Sequence, residues 1–244
     1  NWPDGYARVV LQSVDSTMSE AARRAASLTS PTWIMAHVQT GGRGRRGKPW
    51  ITPAGNLSAT LIYRPDASPA EAARRSFLAA NALYAALSFY VASEKLSLKW
   101  PNDVLLDGHK VAGILLEASG QGSRVTSLSI GIGVNLAHTP QGVENAAFSP
   151  TSVTSSGGAA VTPEAFLTTL AGCFATQESR LARFGFARIR QDWLENAARL
   201  GEVISAKTGT ETISGIFDTI DDDGTLVLIT SAGPRAIPAA DVFF

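Results

Sequence analysis

Between residues 96 and 134 four strand-like runs follow one another with no helix between them, at about 96 to 100, 103 to 106, 110 to 117 and 125 to 134. Strands joined this closely must pair antiparallel, because a parallel connection needs a crossover of a dozen or more residues. Asp107-Gly108 falls between the second and third runs and reads as a two-residue hairpin turn. Residues 33 to 38 and 57 to 63 read as two further strands, so the chain is organised around a mostly antiparallel sheet. Helices flank it. One is predicted from Thr17 to about Ser27, capped by Thr17 with Glu20 at the third helical position. A capping box at Ser68-Pro69-Ala70-Glu71 opens a longer one to about Val91. Thr162-Pro163 caps another to about Phe184, and a last helix carries Ile189, Trp193 and Leu194 on one face. Beyond Gly201 the pattern changes to strands at about 202 to 207, 212 to 220, 225 to 230 and 235 to 237, with a turn at Asp223-Gly224. The expected organisation is an α+β domain over residues 1–199, an antiparallel sheet flanked by helices, followed by a small β-barrel of SH3-like size over 200–244.

Charge excludes some partners. Twenty-one basic residues balance 21 acidic ones, so no overall field favours DNA or an anionic membrane, and any anion site must be local. Arg43, Arg45, Arg46 and Lys48 supply that locality, in the loop Gln39-Thr40-Gly41-Gly42-Arg43-Gly44-Arg45-Arg46-Gly47-Lys48-Pro49-Trp50 between two strands. Glycines let backbone N–H groups approach an anion closely, and guanidinium groups offer it planar, charge-assisted hydrogen bonds. A flexible basic surface loop, or an Arg/Gly segment touching nucleic acid, is the alternative reading. Cys173 stands alone, so no internal disulfide framework exists, and with three scattered histidines it makes no zinc pattern; a reducing, cytoplasmic setting is expected. No apolar run approaches the ~20 residues of a membrane span, and no signal peptide is evident. Residue 1 is Asn, which leaves open whether the sequence was trimmed upstream.

Several residues can be weighed by their own chemistry. Lys110 heads an apolar strand just past the Asp107-Gly108-His109 turn, where rigid backbone can hold an ammonium group beside a phosphate; a solvated lysine beside a hairpin is the plainer reading. Asp103, across that hairpin, can pair with Lys110, hold an incoming lysine or bind a Mg²⁺ water, or serve only as a turn residue after proline. Trp100 reads as core. Trp50 either stacks on a base or anchors the end of the loop. Gly113, Gly131 and Gly133, on apolar strands, mark close approach by a ligand or by another backbone.

The order of four blocks, Gln39 to Trp50, KWPND at 99–103, KVAGILLE at 110–117 and GIGVN at 131–135, resembles the biotin protein ligases. Asp15-Ser16-Thr17 and residues 201–244 extend the resemblance over nearly the whole chain, in the form without an N-terminal DNA-binding domain. The resemblance implies a catalytic domain like those of class II synthetases and lipoate ligases. It also implies formation of biotinyl-5′-AMP from biotin and ATP, with Mg²⁺ accompanying the triphosphate through unspecified ligands and no tightly bound metal. Biotin would then pass to a lysine of a biotin carboxyl carrier protein of a carboxylase. By the same resemblance Lys110, Arg45 and Asp103 are catalytic. Ser16, Thr17, Gln39, Gly42, Arg43, Lys110, Leu115, Gly131 and Gly133 hold biotin, and Arg43, Arg45, Arg46, Trp50, Asn102, Lys110 and Asn135 hold the nucleotide. Three places depart from the family pattern: Met18 stands where an Asn follows Ser-Thr, Lys48 replaces an Arg, losing a bidentate donor, and Ala239-Ala240-Asp241-Val242 replaces a glycine-containing turn.

Rival readings remain. A lipoate or octanoate transferase shares the fold, but the GRGRRG and KWPND pairing argues against it. A biotin-sensing repressor needs a helix-turn-helix, for which the residues before Ser16 leave no room. An RNA-binding protein would show distributed basic charge and surface aromatics. Oligomeric state is left open, a homodimer included.

Overall fold

The computed structural model describes residues 1–141 and 148–244. Seven strands form one sheet: β1 (Ala7–Val14), β2 (Thr32–Gln39), β3 (Leu57–Tyr63), β4 (Leu96–Lys99), β5 (Asp103–Leu106), β6 (His109–Gln121) and β7 (Arg124–Val134), in the order β1-β2-β3-β7-β6-β5-β4. All neighbours are antiparallel except β1 and β2. The expected hairpin joins β5 to β6, with Asp107 and Gly108 both at positive φ. β1 has no counterpart among the expected strands. It lies at the sheet edge with mostly exposed or half-buried residues, so it lacks the apolar alternation that marks a strand with one buried face.

Among the described residues five α-helices complete the larger unit: α1 (Thr17–Arg24), α2 (Pro69–Ala73), α3 (Arg75–Leu87), α4 (Pro163–Phe184) and α5 (Phe186–Glu195). The expected Thr17 cap is displaced by one residue. Ser16 is the N-cap, accepting from the N–H groups of Met18 and Ser19, while Glu20 turns to Arg23 and Arg24. The α-helix stops at Arg24 and continues only as a 3₁₀ turn over Ala25–Ser27. The long helix expected to Val91 is likewise broken into α2 and α3 at Arg74, and ends at Leu87. Its capping box is present as expected, with Ser68 accepting from the Glu71 N–H and Glu71 from the Ser68 N–H. Ser68→Ala should therefore lower stability by ~1 kcal/mol in urea denaturation, the usual cost of a lost N-cap.

Period-two alternation assigns the two sheet faces. Trp33 and Met35 of β2, Leu57, Ala59 and Leu61 of β3, Ile114 of β6 and Ile130, Ile132 and Val134 of β7 pack in one core with α3, α4 and α5. Ile34 and Ile62 point to the opposite face, where Ala21 of α1 covers them. On that second face the residues nearer β6 are small or polar: Ser58 pairs with Gly133, Thr60 with Gly131, and Gly113 with Gly133. A sheet face with so little side-chain bulk leaves a hollow.

The C-terminal strands β8 (Val203–Lys207), β9 (Thr212–Ile220), β10 (Leu226–Thr230), β11 (Gly233–Ile237) and β12 (Asp241–Phe243) form an antiparallel sheet in the order β11-β10-β9-β8-β12, consistent with an SH3-like module. Among the described residues no β11–β12 pairing closes it into a barrel. The three-residue β12 was not expected from the sequence. This sheet packs against the larger unit through Phe217 on Trp193 and through Gly224, whose carbonyl accepts from the buried Trp100 indole. Gly224 has φ +80°, and a Cβ there would strike the Phe77 ring. Glycine alone satisfies both the turn and the contact.

Part of the 138–161 segment, read as a lid or a disordered loop, lies outside the described residues at 142–147. The following stretch is packed structure. Ser149 accepts from the Lys110 N–H, the Thr151 N–H donates to Lys110, and the Val153 N–H donates to Asn135. No helix among the described residues is long and apolar enough to cross a membrane.

Candidate active site

The hollow on the second face is a cavity of about 610 Å³, within the usual range for a small-molecule site. Its floor is the β6–β7 pair and its walls are α1, the 39–50 loop and β12. Glycine makes the floor possible at two places. A Cβ at Gly133 would fall 2.3 Å from the Trp50 ring, and one at Gly131 would fall 2.8 Å from the Met18 sulfur. Met18 therefore fills space over Gly131, where an Asn would offer polar atoms. Trp50 lies over Gly133 and touches Gly113, presenting an aromatic face inside the cavity.

One end of the cavity carries a closed polar network. Gln39 accepts from the Thr17 N–H and hydroxyl and donates to Ser58; Thr60 donates to Thr17; Thr52 and Ser58 share a hydrogen bond of 2.7 Å. Ser16, Thr17, Gln39 and Ser58 all face the cavity. The Gln39 amide, expected to meet ligand, is occupied at both ends by protein and chiefly orients Thr17 and Ser58. Ser58 and Thr60 were missed, although two polar residues at alternate positions of the buried strand LSATLIY were a readable signal.

The other end is cationic. Lys110 Nζ lies 2.7 Å from Asp103 Oδ1, realising the pairing expected across the hairpin, and 5.5 Å from the centre of the Trp50 ring. Lys99, absent from the expected site, lies 3.7 Å from the other oxygen of Asp103 and 4.6 Å from the centre of the Phe148 ring. It is 6% exposed, and burial pushes its ammonium below the ordinary lysine range while Asp103 partly restores it. A lysine between Leu98 and Trp100 in a buried strand was the available clue. Asn102 donates to the Ile114 carbonyl and accepts from Arg45 at 3.4 Å. Asn135 donates to the Thr151 carbonyl, and its buried side-chain oxygen has no partner among the described residues.

The three loop arginines have different surroundings. Arg43 is forked onto the Glu117 carboxylate at 3.1 Å and donates to Ser19. Arg46 pairs with Asp241 of β12 at 2.7 Å. Arg45 makes no ion pair among the described residues, and desolvation, then the neighbouring Arg46, hold its guanidinium below the usual arginine range. Such a site is prepared for an anion. The loop closes on itself through the Gly44 N–H to the Lys48 carbonyl and the Trp50 N–H to the Gly42 carbonyl. Gly42 is wedged where a Cβ would fall 2.5 Å from the Trp50 carbonyl oxygen. Leu115, opposite Gly131, completes the apolar wall.

The chain matches known families along most of its length. Residues 10–135 match the Biotin/lipoate A/B protein ligase family, and residues 200–244 the Biotin protein ligase C terminal domain. The chain is 51% identical to a biotin–[acetyl-CoA-carboxylase] ligase of Paracoccus denitrificans, over 96% of this chain and 99% of that one. It is 32% identical to the bifunctional ligase/repressor BirA of Bacillus subtilis, over 96% of this chain and 71% of that one. In structure it is similar to the biotin protein ligase from Aquifex aeolicus in complex with biotin and ATP, with a TM-score of 0.79 and 23% identity over 97% of this chain and 98% of that one. With a family match over half its length and a relative of this identity along nearly all of it, the chain belongs to the Biotin/lipoate A/B protein ligase family, among the biotin protein ligases.

Proposed function

We propose that this cavity performs the two half-reactions of a biotin–protein ligase. The biotin carboxylate attacks the α-phosphorus of ATP, the bond to the β-phosphate oxygen breaks and pyrophosphate leaves. The amine of an acceptor lysine then attacks the carbonyl carbon of the mixed anhydride and AMP departs. The observation that carries this reading is the pair of cations, Lys110 fixed by Asp103 and Arg45 without a carboxylate, at one end of a cavity whose other end is apolar floor and hydroxyl network.

In this reading the biotin rings lie on Gly131, Leu115 and Met18, with their ureido group toward Ser16, Thr17 and Ser58, whose hydroxyls both donate and accept. Gln39 holds that network in register, and Gly42 lets the loop lie close above it. Lys110 meets the carboxylate and the phosphate where charge develops, and Arg45, with Lys99 and Asn102 beside it, takes the phosphate oxygens. Asp103 positions both lysines. Adenine stacks on Trp50, and the free oxygen of Asn135 suits an amino group of the base. Arg43 and Arg46 act through the loop, by their pairs with Glu117 and Asp241. Holding both reactants in one cavity replaces a poor bimolecular encounter with an oriented one.

Among the described residues no three His, Cys, Asp or Glu side chains converge, and the carboxylates facing the cavity, Asp103 and Asp241, are each paired with cations. These residues do not fit a resident metal, and Mg²⁺ belongs here to the nucleotide substrate. The acceptor is the biotin carrier protein of a carboxylase, the setting the cytoplasm, and the functional division lies near residue 200. ATP–pyrophosphate exchange decides the substrate. Biotin should drive it, and octanoate and lipoate should not; exchange driven by octanoate or lipoate instead would favour the sister activity of the fold.

A further inference from the structure

We infer that Asp241, on the last strand of the C-terminal sheet, is a positioning residue that clasps the 39–50 loop over the cavity through Arg46. The inference rests on the ligase reading. At its base the loop is tied by main-chain bonds, from the Thr40 N–H to Val14 and the Gly41 N–H to Asp15. Arg43 ties the loop to Glu117 and Ser19; beyond it, from Gly44 to Lys48, two side chains make polar contacts outside the loop among the described residues, Arg45 with Asn102 at 3.4 Å and Arg46 with Asp241 at 2.7 Å. The shorter contact belongs to the other sheet.

Backbone geometry at the tip supports the same assignment. Arg46 has φ +56° and is followed by Gly47 at φ +70°. A bulky side chain in the left-handed region is unfavourable unless its surroundings hold it there. From that turn the adjacent arginines reach different partners on the cavity wall, Arg45 meeting Asn102 and Arg46 meeting Asp241. The Arg46–Asp241 pair thus holds the turn from which Arg45 reaches Asn102. Asp241 is itself held in register, paired across strands with Lys207 of β8. The C-terminal sheet, which contributes no other charged group to the cavity wall, thereby fixes how firmly the loop shuts.

The test uses the full chain with Asp241→Ala, Asp241→Asn and Asp241→Glu, and the exchanged pair Arg46→Asp with Asp241→Arg. Two rates are read: dissociation of biotinyl-5′-AMP formed in place, and trypsin nicking of the ligand-free loop between Arg43 and Lys48. Asp241→Ala should raise both about three- to fivefold, the scale of one half-exposed ion pair. Asp241→Asn, which keeps the shape, should behave the same, while Asp241→Glu and the exchanged pair should restore slow release. The difference from wild type should shrink in 0.5 M salt, where such a pair is screened. Unchanged release and nicking in both Asp241→Ala and Asp241→Asn would overturn the clasp, as would faster release that the exchanged pair leaves uncorrected. If the wild type forms no biotinyl-5′-AMP, the ligase reading fails, and with it the role in retention; intermediate formed and released equally by all variants removes the clasp alone.

Discussion

Lys110→Ala is expected to abolish adenylation, by at least about a thousandfold in biotin-dependent ATP–pyrophosphate exchange, in a protein that still folds. Folding survives because Lys110 contributes to the strand through its backbone. Its N–H donates to Ser149 and its carbonyl accepts from Thr151, and neither bond needs the side chain. The Lys110 side chain is 30% exposed, so its removal empties no core. Chemistry suffers for a different reason. When the carboxylate oxygen closes on phosphorus, negative charge spreads over the phosphoryl oxygens, and a cation already fixed against Asp103 stabilises that charge with no reorganisation. Lys99 does not substitute, since it sits at the other Asp103 oxygen beneath Phe148. Lys110→Arg should also fail to restore the rate, because a planar fork does not reproduce a compact ammonium packed between Gly113 and Trp50. Exchange within tenfold of wild type in a folded Lys110→Ala protein would move the catalytic cation elsewhere, with Lys99 the next to test.

Legibility in the sequence followed the range of the interactions. The hairpin at Asp107-Gly108, the Ser68 capping box and the Thr162-Pro163 helix start were readable because each is written within four residues. The one-residue error at Ser16 is instructive: Ser16 and Thr17 are both competent caps, and Glu20 had nearer basic partners in Arg23 and Arg24 than a backbone N–H. β1 escaped because its neighbour β2 lies parallel across an intervening helix, and no local pattern records that pairing. The break at Arg74 and the packing of residues 149–153 onto Lys110 and Asn135 are also set by distant residues. In the site, residue types announced the chemistry, but partners did not. Nothing in GRGRRG distinguishes the arginine that faces Glu117, the one left without a carboxylate and the one that reaches Asp241, since those differences come from strands some 70 and 195 residues away.

That distinction makes Arg45 the loop residue whose loss should be felt most directly by the intermediate. Arg43 and Arg46 are each paired with a carboxylate, so their charge is already engaged by the protein. Arg45 is different: burial already disfavours its charge, a cost offset only when an anion arrives. Arg45→Gly deletes a charge-assisted hydrogen bond worth ~1.5 to 3 kcal/mol and places a second glycine beside Gly44, loosening the turn that Arg46 and Gly47 define. At ~1.4 kcal/mol per tenfold, the intermediate should be held roughly ten- to a hundredfold less well. Adenylation itself should persist, because Lys110 and Asp103 lie on rigid strands outside the loop. Biotinyl-5′-AMP would then escape and acylate exposed lysines of bystander proteins. Incubating wild type and Arg45→Gly with ATP, biotin and an unrelated lysine-rich protein reads both consequences, release rate and bystander labelling. A variant that makes the anhydride yet neither releases it faster nor labels the bystander more would show that the phosphate is held by Lys99, Lys110 and the loop backbone, with Arg45 contributing no retention.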